Sequence, residues 1–353
     1  MRARSSWGTV AAVAGGLMLG IMAWQRRHMD DLAGEVALVT GGSRGLGFLI
    51  ARELGRNGCR VAICARDPQE LAAAQADLWQ EGIDIFPMQC DLRDPYAIAA
   101  MVDAVTAHYG RIDILVNNAG IIQVGPQEQM TTAHFTEAMD IIFWGTYHTT
   151  QAVLPQMQAR RHGRIVNITS IGGTVSVPHL LPYSTAKFAT VGYSQGLREA
   201  LHHQGITVTT VAPSTLRTGS HLQAQVTGRH VPEYTWFGLS ATLPGISTSA
   251  ENAARQVVQA TKRRAAFHYV GWPARIAGRL HGLLPGITAD LLGLITTYGL
   301  PDAPAGSSPT KRGMVVDREL SPMQQRVLHL LMGLGQQAAQ RYHQYAGEEN
   351  SVY

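Results

Sequence analysis

Three side chains in the middle of the chain have the types and spacing needed for proton transfer at neutral pH. Tyr183 and Lys187 are four residues apart at the start of a predicted helix, so they lie on one helical face. A phenol with a pKa near 10 is a poor acid or base at pH 7, but a neighbouring ammonium favours the phenolate and lowers that pKa. Ser170, at the end of a predicted strand, would hydrogen-bond the same substrate oxygen as charge develops on it. These residues predict acid–base chemistry at an oxygen atom of a substrate.

A strand, a turn and a helix near the start of the chain predict a phosphate site. Val36–Thr40 is an uncharged apolar run typical of a buried strand, and the chain then enters a glycine-rich turn and continues as a helix to Leu54. Gly41, Gly45 and Gly47 let the backbone turn tightly and let a phosphate approach. The N–H groups and partial positive charge of the helix start suit a pyrophosphate. Taken alone, the stretch also fits an ordinary strand-to-helix turn.

Strands and helices alternate from residue 36 to residue 271. The predicted strands cover residues 36–40, 60–65, 83–89, 112–116, 164–170, 206–212 and 265–271. A long helical region over residues 131–160 contains Pro155, which we expect to bend or end it. This alternation predicts a parallel α/β sheet with helices on both faces and ligands beyond the carboxyl ends of the strands. The residues that follow strand ends therefore predict one composite site: Gly41, Arg66, Asp91, Asn117, Ser170 and Pro213.

Composition indicates a folded protein and excludes some partners. The chain has 353 residues, 45% of them apolar, with a net charge of +4 and a pI near 9.0. Its arginines are scattered and form no basic stripe with interleaved aromatics, so we expect no nucleic-acid partner. The cysteines, Cys59, Cys64 and Cys90, fall in or beside predicted strands and are predicted to be reduced core thiols. No Cys/His spacing predicts a metal site.

An uncharged run of 18 residues, Trp7 to Trp24, precedes the first strand. Arginines at positions 2, 4, 26 and 27 flank it, and its terminal tryptophans stand where interfacial aromatics are found. As a helix the run would be about 27 Å long, just enough to span hydrocarbon. We predict that residues 1–30 form an uncleaved single-pass membrane anchor, with a cleaved signal peptide as the alternative.

Four motifs together resemble the classical type of the short-chain dehydrogenase/reductase family. They are Thr40-Gly41-Gly42-Ser43-Arg44-Gly45-Leu46-Gly47, Asn117-Asn118-Ala119-Gly120, Ser170 and Tyr183-Ser184-Thr185-Ala186-Lys187. The resemblance covers roughly residues 34–220. It implies a Rossmann-like doubly wound parallel sheet of strand order 3-2-1-4-5-6-7 and an NADP-binding catalytic domain over residues 31–271.

The resemblance also implies roles for individual residues. Ser170, Tyr183 and Lys187 would be catalytic, and Lys187 would also hold the nicotinamide ribose. Asp91 would lie near the adenine, and Thr218 would meet the nicotinamide amide. The implied cofactor contacts are Gly41, Ser43, Arg44, Gly45, Leu46, Gly47, Arg66, Asp91, Leu92, Asn118, Ala119, Gly120, Tyr183, Lys187, Pro213 and Thr218.

Charge at the end of the second strand bears on the choice of cofactor. Nicotinamide cofactors without the extra phosphate usually meet an acidic residue there, but this strand ends in Cys64-Ala65-Arg66, with Asp67 one step later. The guanidinium groups of Arg44 and Arg66 match a 2′-phosphate. The resemblance likewise implies NADP(H) when arginines occupy these two places. The alternative is that both are surface arginines without a ligand.

Two positions depart from the family's pattern. The family's fourth catalytic residue is an asparagine in the helix after strand four, and Ile142 stands in its place. An apolar side chain cannot hold the water that relays protons towards Lys187, so turnover would use another route, be slow or be lost. Ser214 replaces a glycine that usually follows Pro213, which is a milder change.

The part of the chain beyond residue 220 is less informative. Residues 221–243 read as a loop-like insert that would cover the substrate. Residues 272–300 mix arginines with apolar residues and either pack on the core or lie on a membrane surface. A linker at residues 301–308 precedes residues 320–345, whose helical spacing fits a docked terminal helix or an interaction helix. We assign residues 272–353 to a helical, partly apolar extension.

The sequence therefore predicts a membrane-anchored NADP(H)-dependent oxidoreductase that interconverts a secondary alcohol and a ketone, with the pro-S nicotinamide hydrogen implied by the family. The anchor and extension favour a lipophilic substrate, and the reduced nicotinamide pool favours a catalytic domain on the cytoplasmic side. A nucleotide-binding scaffold or sensor that has lost turnover is the alternative favoured by Ile142. A structural membrane protein is a third, supported only by the anchor and terminal helix. The identity of the substrate and the formation of a homo-oligomer stay open.

Overall fold

The computed structural model describes residues 29–345 of the chain, and strands and helices alternate through its first 240 residues as predicted. The strands are β1 Val36–Thr40, β2 Arg60–Ala65, β3 Ile85–Gln89, β4 Ile114–Asn117, β5 Gln123–Val124, β6 Gly163–Ile168, β7 Ile206–Pro213, β8 Leu216–Arg217, β9 Gln225–Val226, β10 Thr248–Ser249, β11 Phe267–Val270 and β12 Lys311–Arg312. The α-helices are α1 Gly45–Arg56, α2 Pro68–Gln80, α3 Pro95–Tyr109, α4 Thr132–Ala138, α5 Gly145–Arg160, α6 Leu181–Leu201, α7 His230–Thr242, α8 Ala250–Lys262, α9 Trp272–Leu283, α10 Pro285–Gly299, α11 Gly313–Glu319, α12 Pro322–Leu331 and α13 Gly333–Arg341.

Seven strands form one parallel sheet, ordered β3-β2-β1-β4-β6-β7-β11. Counted among these seven strands alone, that order is the predicted 3-2-1-4-5-6-7. The full numbering differs because five short strands, which the sequence did not predict, form two small additional sheets. Since β1 pairs in parallel with both β2 and β4, the chain reverses its direction of progress across the sheet at β1. The crevice at this reversal is where such sheets bind ligands.

Burial explains why β1 is central. Every residue of Val36–Thr40 is buried, and successive side chains point to opposite faces of the sheet. Val39 belongs to a core cluster on one face with residues of α1 and α8. Leu38 belongs to a second cluster on the other face with residues of α3 and α5. A strand covered on both faces needs a continuous apolar sequence, which is what the chain has there.

Side-chain caps fix the starts of two helices that follow strands. The carboxylate of Asp67 accepts hydrogen bonds from two N–H groups in the first turn of α2, and that of Asp94 accepts one from α3. Each helix begins with a proline, whose fixed backbone angle suits the first helical position. These caps set where α2 and α3 leave the ligand-binding edge of the sheet.

The predicted long helix over residues 131–160 is interrupted, but not at Pro155. A π-helical segment, Met139–Trp144, separates α4 from α5, and Pro155 lies inside α5 without ending it. The expectation that Pro155 bends or ends the helix is therefore wrong about the end. Ile142, the residue in the place of the family's asparagine, lies in the π-helical segment.

The extension has two parts with opposite behaviour. Helices α11 to α13 dock on the segment that carries α7, because Met314, Leu328 and Met332 share a buried cluster with Leu222 and Tyr234. This selects the docked alternative for the terminal helices. Helices α9 and α10 form a hairpin, and no side chain of α10 is buried. Of the two predicted alternatives for residues 272–300, packing on the core does not hold for α10.

The predicted membrane anchor at residues 7–24 lies outside the described residues. From residue 29 to residue 345, no helix combines the length and the apolar character needed to cross a bilayer. Cys59, Cys64 and Cys90 are buried thiols, and burial raises the pKa of Cys59 to about 12 and of Cys90 to about 11. The prediction of core thiols is confirmed.

Candidate active site

A cavity of about 600 Å³ opens at the carboxyl edge of the sheet. Except for Asn117, which is buried and donates its side-chain amide to Thr150 and Asn167, the structure brings every predicted site residue to the wall of this one cavity: Gly41, Ser43, Arg44, Gly45, Leu46, Gly47, Arg66, Asp91, Leu92, Asn118, Ala119, Gly120, Ser170, Tyr183, Lys187, Pro213 and Thr218. They come from the ends of six strands and the starts of two helices. A composite site at the strand ends is therefore present, while the role of each residue stays a prediction.

The glycine-rich turn between β1 and α1 is closely packed against the loop after β4. Gly41 has a positive φ of 62°, and a side chain on it would come within 2.9 Å of the Ala119 Cα. A side chain on Gly47 would collide with the carbonyl oxygen of Gly41. The amide of Asn118 donates to the backbone oxygens of Thr40 and Gly41 at 3.0 and 3.1 Å, which holds the two loops together. The cradle at the start of α1 thus has the shape and the N–H groups that fit a dinucleotide's diphosphate.

The predicted proton-transfer residues converge from β6 and α6. Ser170 follows the end of β6, and its hydroxyl accepts a hydrogen bond from Gly172 N–H at 3.0 Å. Tyr183 and Lys187 lie on one face of α6, with Lys187 Nζ 5.7 Å from the centre of the Tyr183 ring. Lys187 is 4% exposed, and its ammonium donates to the backbone oxygen of Ile168 at 2.9 Å. All three side chains border the cavity.

The pKa of Tyr183 differs from the sequence-based expectation. Burial raises it, although a hydrogen bond with Ser170 acts in the opposite direction. Burial also lowers the pKa of Lys187 from 10.5 to about 8. The net shift is therefore opposite to the sequence-based expectation of a lowered pKa, because desolvation of the buried phenol outweighs its hydrogen bond with Ser170. The phenol keeps its proton at neutral pH.

Ile142 borders the same small space as the Lys187 amine. A side-chain carbon placed on Gly120 would lie 3.6 Å from Ile142 Cγ1 and 3.7 Å from Lys187 Nζ. Ile142 is 1% exposed and belongs to an apolar cluster against which the Tyr183 ring packs. This side of Lys187 is therefore lined by hydrocarbon, which offers no hydrogen bond to a relaying water.

The end of β2 presents Arg66 to the cavity, and Arg44 reaches it from the turn after β1. Arg66 is exposed, and one oxygen of the Asp67 carboxylate caps α2. Arg44 lies 3.6 Å from Glu70, whose carboxylate also accepts a 2.7 Å hydrogen bond from Ser43. The sequence analysis did not anticipate Glu70, which orients the Arg44 guanidinium but also neutralises part of its charge. These groups suit a phosphate better than a ribose hydroxyl.

Asp91, predicted to lie near the adenine, is paired with a neighbour. Arg93 donates to both of its carboxylate oxygens, the shortest contact being 2.6 Å. Burial acts to raise the pKa of Asp91, but the hydrogen bonds from Arg93 prevail and lower it. A fixed carboxylate can accept from an adenine amine only with the oxygen lone pairs that Arg93 leaves free.

The insert over residues 221–243 contains helix α7 and so is not the loop that we predicted. Trp236 and Phe237 of α7 line the cavity, as expected for a segment covering the substrate. Glu233, fully buried, holds this wall in place. It accepts a 2.6 Å hydrogen bond from the Trp236 indole and pairs with His179 at 2.9 Å. Because His179 precedes α6, the pair ties α7 to the loop beyond Ser170.

Sequence reasoning missed two cavity residues from the extension, Arg312 and Gln344. Both lie beyond the region of family resemblance, and no motif surrounds them. Their position depends on how α11 to α13 dock, which local sequence patterns do not reveal. Among the described residues, no group of three or more His, Cys, Asp or Glu side chains could hold a metal ion.

A model of the short chain dehydrogenase family matches residues 35–227, more than half of the chain. The chain therefore belongs to this family, and the predicted resemblance is confirmed. Its fold is the Rossmann-like α/β sheet of this family of oxidoreductases. Among similar proteins, a putative ketoacyl reductase of Streptomyces coelicolor is 39% identical over 186 residues, which are 52% of this chain and 71% of the relative. A "dehydrogenase/reductase SDR family protein 7-like" of Anopheles gambiae is 34% identical over 213 residues, 59% of this chain and 67% of the relative.

Solved structures give the same relationship. A variant of actinorhodin polyketide ketoreductase, crystallised with NADPH, is 31% identical with a TM-score of 0.61, covering 69% of this chain and 97% of the other. A metagenomic short-chain oxidoreductase in complex with NADP is 29% identical with a TM-score of 0.56, covering 68% of this chain and 97% of the other. In both comparisons part of this chain has no counterpart in the solved structure.

Proposed function

We propose that this protein is an NADP(H)-dependent oxidoreductase that interconverts a secondary alcohol and a ketone. The observation that carries the proposal is that Ser170, Tyr183 and Lys187 border one cavity with the glycine-rich turn. Arg44 and Arg66 at the same cavity, and the NADPH and NADP of two similar solved structures, support NADP(H) as the cofactor. Similarity to ketoreductases supports a carbonyl group as the reacting centre.

The side chains divide the proton chemistry between them. A nicotinamide cofactor held at this cavity would supply the hydride that reduction of the carbonyl carbon needs. Tyr183 donates its phenolic proton to the carbonyl oxygen, and the Ser170 hydroxyl hydrogen-bonds the same oxygen as negative charge develops on it. The Lys187 ammonium stabilises the phenolate that Tyr183 leaves behind. Oxidation of the alcohol uses the same groups in reverse.

The pKa directions favour reduction at neutral pH. Because burial raises the pKa of Tyr183, the phenol holds the proton that reduction needs. Because the pKa of Lys187 is about 8, its amine is mostly charged at pH 7 and loses that charge above pH 8. We therefore expect ketone reduction to decline as the pH rises through about 8.

The cavity wall next to Tyr183 supports a lipophilic substrate. The Tyr183 ring packs against a cluster that contains Leu180 and Phe237, with Val177 and Trp236 beside it. These side chains line the cavity on the side of the proton-donating hydroxyl. Apolar walls of this kind favour hydrocarbon around the reacting carbonyl and leave few hydrogen bonds for a polar substrate.

The α9–α10 hairpin supports a lipid bilayer surface as a partner. Its exposed apolar side chains include Leu283 at 78% and Ile287 at 64% exposure, which is unusual for a face in water. Its charged residues are Arg275, Arg279 and a single acid, Asp290, so the charge balance suits anionic lipid headgroups. The uncharged run at residues 7–24 points to the same partner, and we propose that it anchors the protein with the catalytic domain on the cytoplasmic side.

A dye at the hairpin tests this placement in the full chain. Since the three native cysteines are buried, a Leu291→Cys variant can be labelled selectively with an environment-sensitive dye. With vesicles of neutral and anionic phospholipid, the dye emission should shift to the blue. The matched control, Tyr96→Cys on the exposed face of α3, should not shift. An unshifted dye at position 291 would show that the hairpin stays in water. A blue shift that appears without vesicles when the protein concentration is raised would show that a second copy of the chain covers it. Either result would refute binding to a bilayer.

Activity is tested with a panel of ketones. NADPH consumption is followed for wild type and Tyr183→Phe, and nucleotide binding is titrated for both. We expect wild type to consume NADPH with at least one lipophilic ketone and the variant to bind NADPH but lose at least about 100-fold in turnover. Binding by both without turnover by either would favour the scaffold or sensor. The intact Ser170, Tyr183 and Lys187 oppose that alternative, and Ile142 is the one residue that favours it.

A further inference from the structure

The C-terminal segment, residues 333–345, crosses the start of helix α1, where the diphosphate of a dinucleotide would lie. Gly45, the first residue of α1, donates its backbone N–H to the carbonyl oxygen of Tyr342 at 2.9 Å. The His343 ring contacts the edge of Phe48 in the same helix, with ring centres 4.9 Å apart. The segment is therefore attached to the first turn of α1 by both backbone and side-chain contacts.

Gln344 extends this contact into the cavity. It is 4% exposed and lines the cavity together with Ser43, Arg44 and Gly45. Its side-chain nitrogen would lie 2.8 Å from a side-chain carbon built on Gly45, so the amide stands over the glycine-rich turn. Within residues 29–345 that amide has no hydrogen-bond partner. The amide faces the cavity, so an acceptor that enters beside the glycine-rich turn can take its hydrogen bond.

Three further contacts fix the position of Gln344 and its segment. The backbone carbonyl oxygen of Gln344 accepts a 2.6 Å hydrogen bond from the side chain of Gln223. Earlier in the segment, Ala339 packs closely on Gly219. A side-chain carbon built on Gly219 would lie 2.5 Å from the Ala339 Cα. The Tyr342 hydroxyl donates to the carboxylate of Glu251. The amide is thus held on a docked segment and does not depend on a mobile side chain alone.

We propose that Gln344 is a cofactor-binding residue whose side-chain amide donates a hydrogen bond to the diphosphate at the start of α1. A phosphate oxygen is the strong acceptor that fits beside the glycine-rich turn, and the amide nitrogen supplies the donor. The extension would then complete the dinucleotide site and not only cover it. This inference rests on the proposed NADP(H) function.

The experiment compares two glutamine-to-glutamate variants in the full chain. Gln344→Glu places a carboxylate beside the diphosphate, whereas Gln340→Glu makes the same change on the exposed face of α13. Dissociation constants for NADPH and for NADH are measured by titration. We expect Gln344→Glu to weaken both nucleotides by the same factor of at least about tenfold, because both contain the diphosphate. Gln340→Glu should change neither by more than about twofold.

A third variant and a folding control complete the test. Gln344→Ala, which removes the donor without adding charge, should weaken both nucleotides by about three- to tenfold. Melting temperatures measured without nucleotide show whether each variant folds. Equal affinities in Gln344→Glu and Gln340→Glu, tighter binding by Gln344→Ala, or a loss confined to NADPH would overturn the assignment. Failure of wild type to bind either nucleotide would instead overturn the proposed function.

Discussion

Replacing Ile142 with asparagine tests the most informative departure of this chain from its family. The side chain is 1% exposed, packs with Ala138 and Ala186, and borders the space next to the Lys187 amine. An asparagine there would bring an acceptor oxygen within reach of the ammonium, whose one protein acceptor among the described residues is the Ile168 backbone oxygen. The substitution should therefore restore a polar route towards Lys187 while disturbing an apolar cluster.

The two effects have opposite signs and can be estimated separately. Loss of the buried branched side chain costs about 2 kcal/mol of stability, and burial of an incompletely bonded amide costs about 1–3 kcal/mol more. A hydrogen bond to the charged amine returns about 1.5 kcal/mol, so we expect a net loss of about 2–3 kcal/mol. A working proton route should raise kcat for ketone reduction by about tenfold or more.

The assay pairs denaturant unfolding with steady-state kinetics on one ketone substrate. Ile142→Leu is the control, because leucine has nearly the shape of asparagine but cannot accept a hydrogen bond. The asparagine variant should be the less stable and the faster of the two. Equal kcat values in the asparagine and leucine variants would refute the reasoning and show that position 142 does not limit the reaction.

Three other substitutions probe separate parts of the site. Lys187→Met removes a buried ammonium whose pKa is lowered to about 8. Keeping that ammonium charged destabilises the folded wild type by about 3 kcal/mol. This cost is present in full below pH 8 and is lost between pH 8 and 10.5. The variant loses about 1–2 kcal/mol of stability because the Ile168 carbonyl loses its hydrogen bond. The inactive variant should still unfold at a higher denaturant concentration than wild type at pH 7, and it should lose this advantage by pH 10.5. Arg66→Ala should raise the NADPH dissociation constant about tenfold and leave that for NADH nearly unchanged, as titrations with both nucleotides would measure. Glu233→Gln breaks the pair with His179 that holds Trp236 at the cavity wall, so it should lower stability by about 2 kcal/mol. It should also raise KM more than it lowers kcat, and thermal melting and Michaelis kinetics would measure the two effects.

The central sheet and the site at its carboxyl edge were predictable because their signals are local. Each strand is a short, mostly apolar run. Gly41 and Ser170 follow the ends of β1 and β6, and Tyr183 lies at the start of the next α-helix, so the order of elements placed the three residues together. A parallel sheet can then be assembled in few ways. The bounds of the elements differ from prediction by only a few residues, as for β3, which begins at Ile85 instead of residue 83.

Properties that depend on tertiary packing were not predictable. Burial raises the pKa of Tyr183, and that burial comes from apolar side chains, including Phe237 of α7, that pack against the ring. The spacing of residues along the sequence does not reveal this packing. The position of Gln344 at the glycine-rich turn depends on the docking of three helices more than 260 residues further along the chain. The interruption of the predicted long helix is π-helical and follows no proline, so the strongest sequence signal, Pro155, pointed to the wrong place.

Transfer of deuterium from NADPH labelled at the pro-S position of its nicotinamide is the most direct test of the account. Wild-type protein, labelled NADPH and a ketone that it reduces are mixed in a single turnover, and the alcohol is analysed by mass spectrometry. We predict one deuterium on the carbinol carbon with wild type and no labelled alcohol with Tyr183→Phe, although that variant still binds NADPH. Unlabelled alcohol from wild type, or undiminished transfer by the variant, would contradict a hydride transfer completed by the proton of Tyr183.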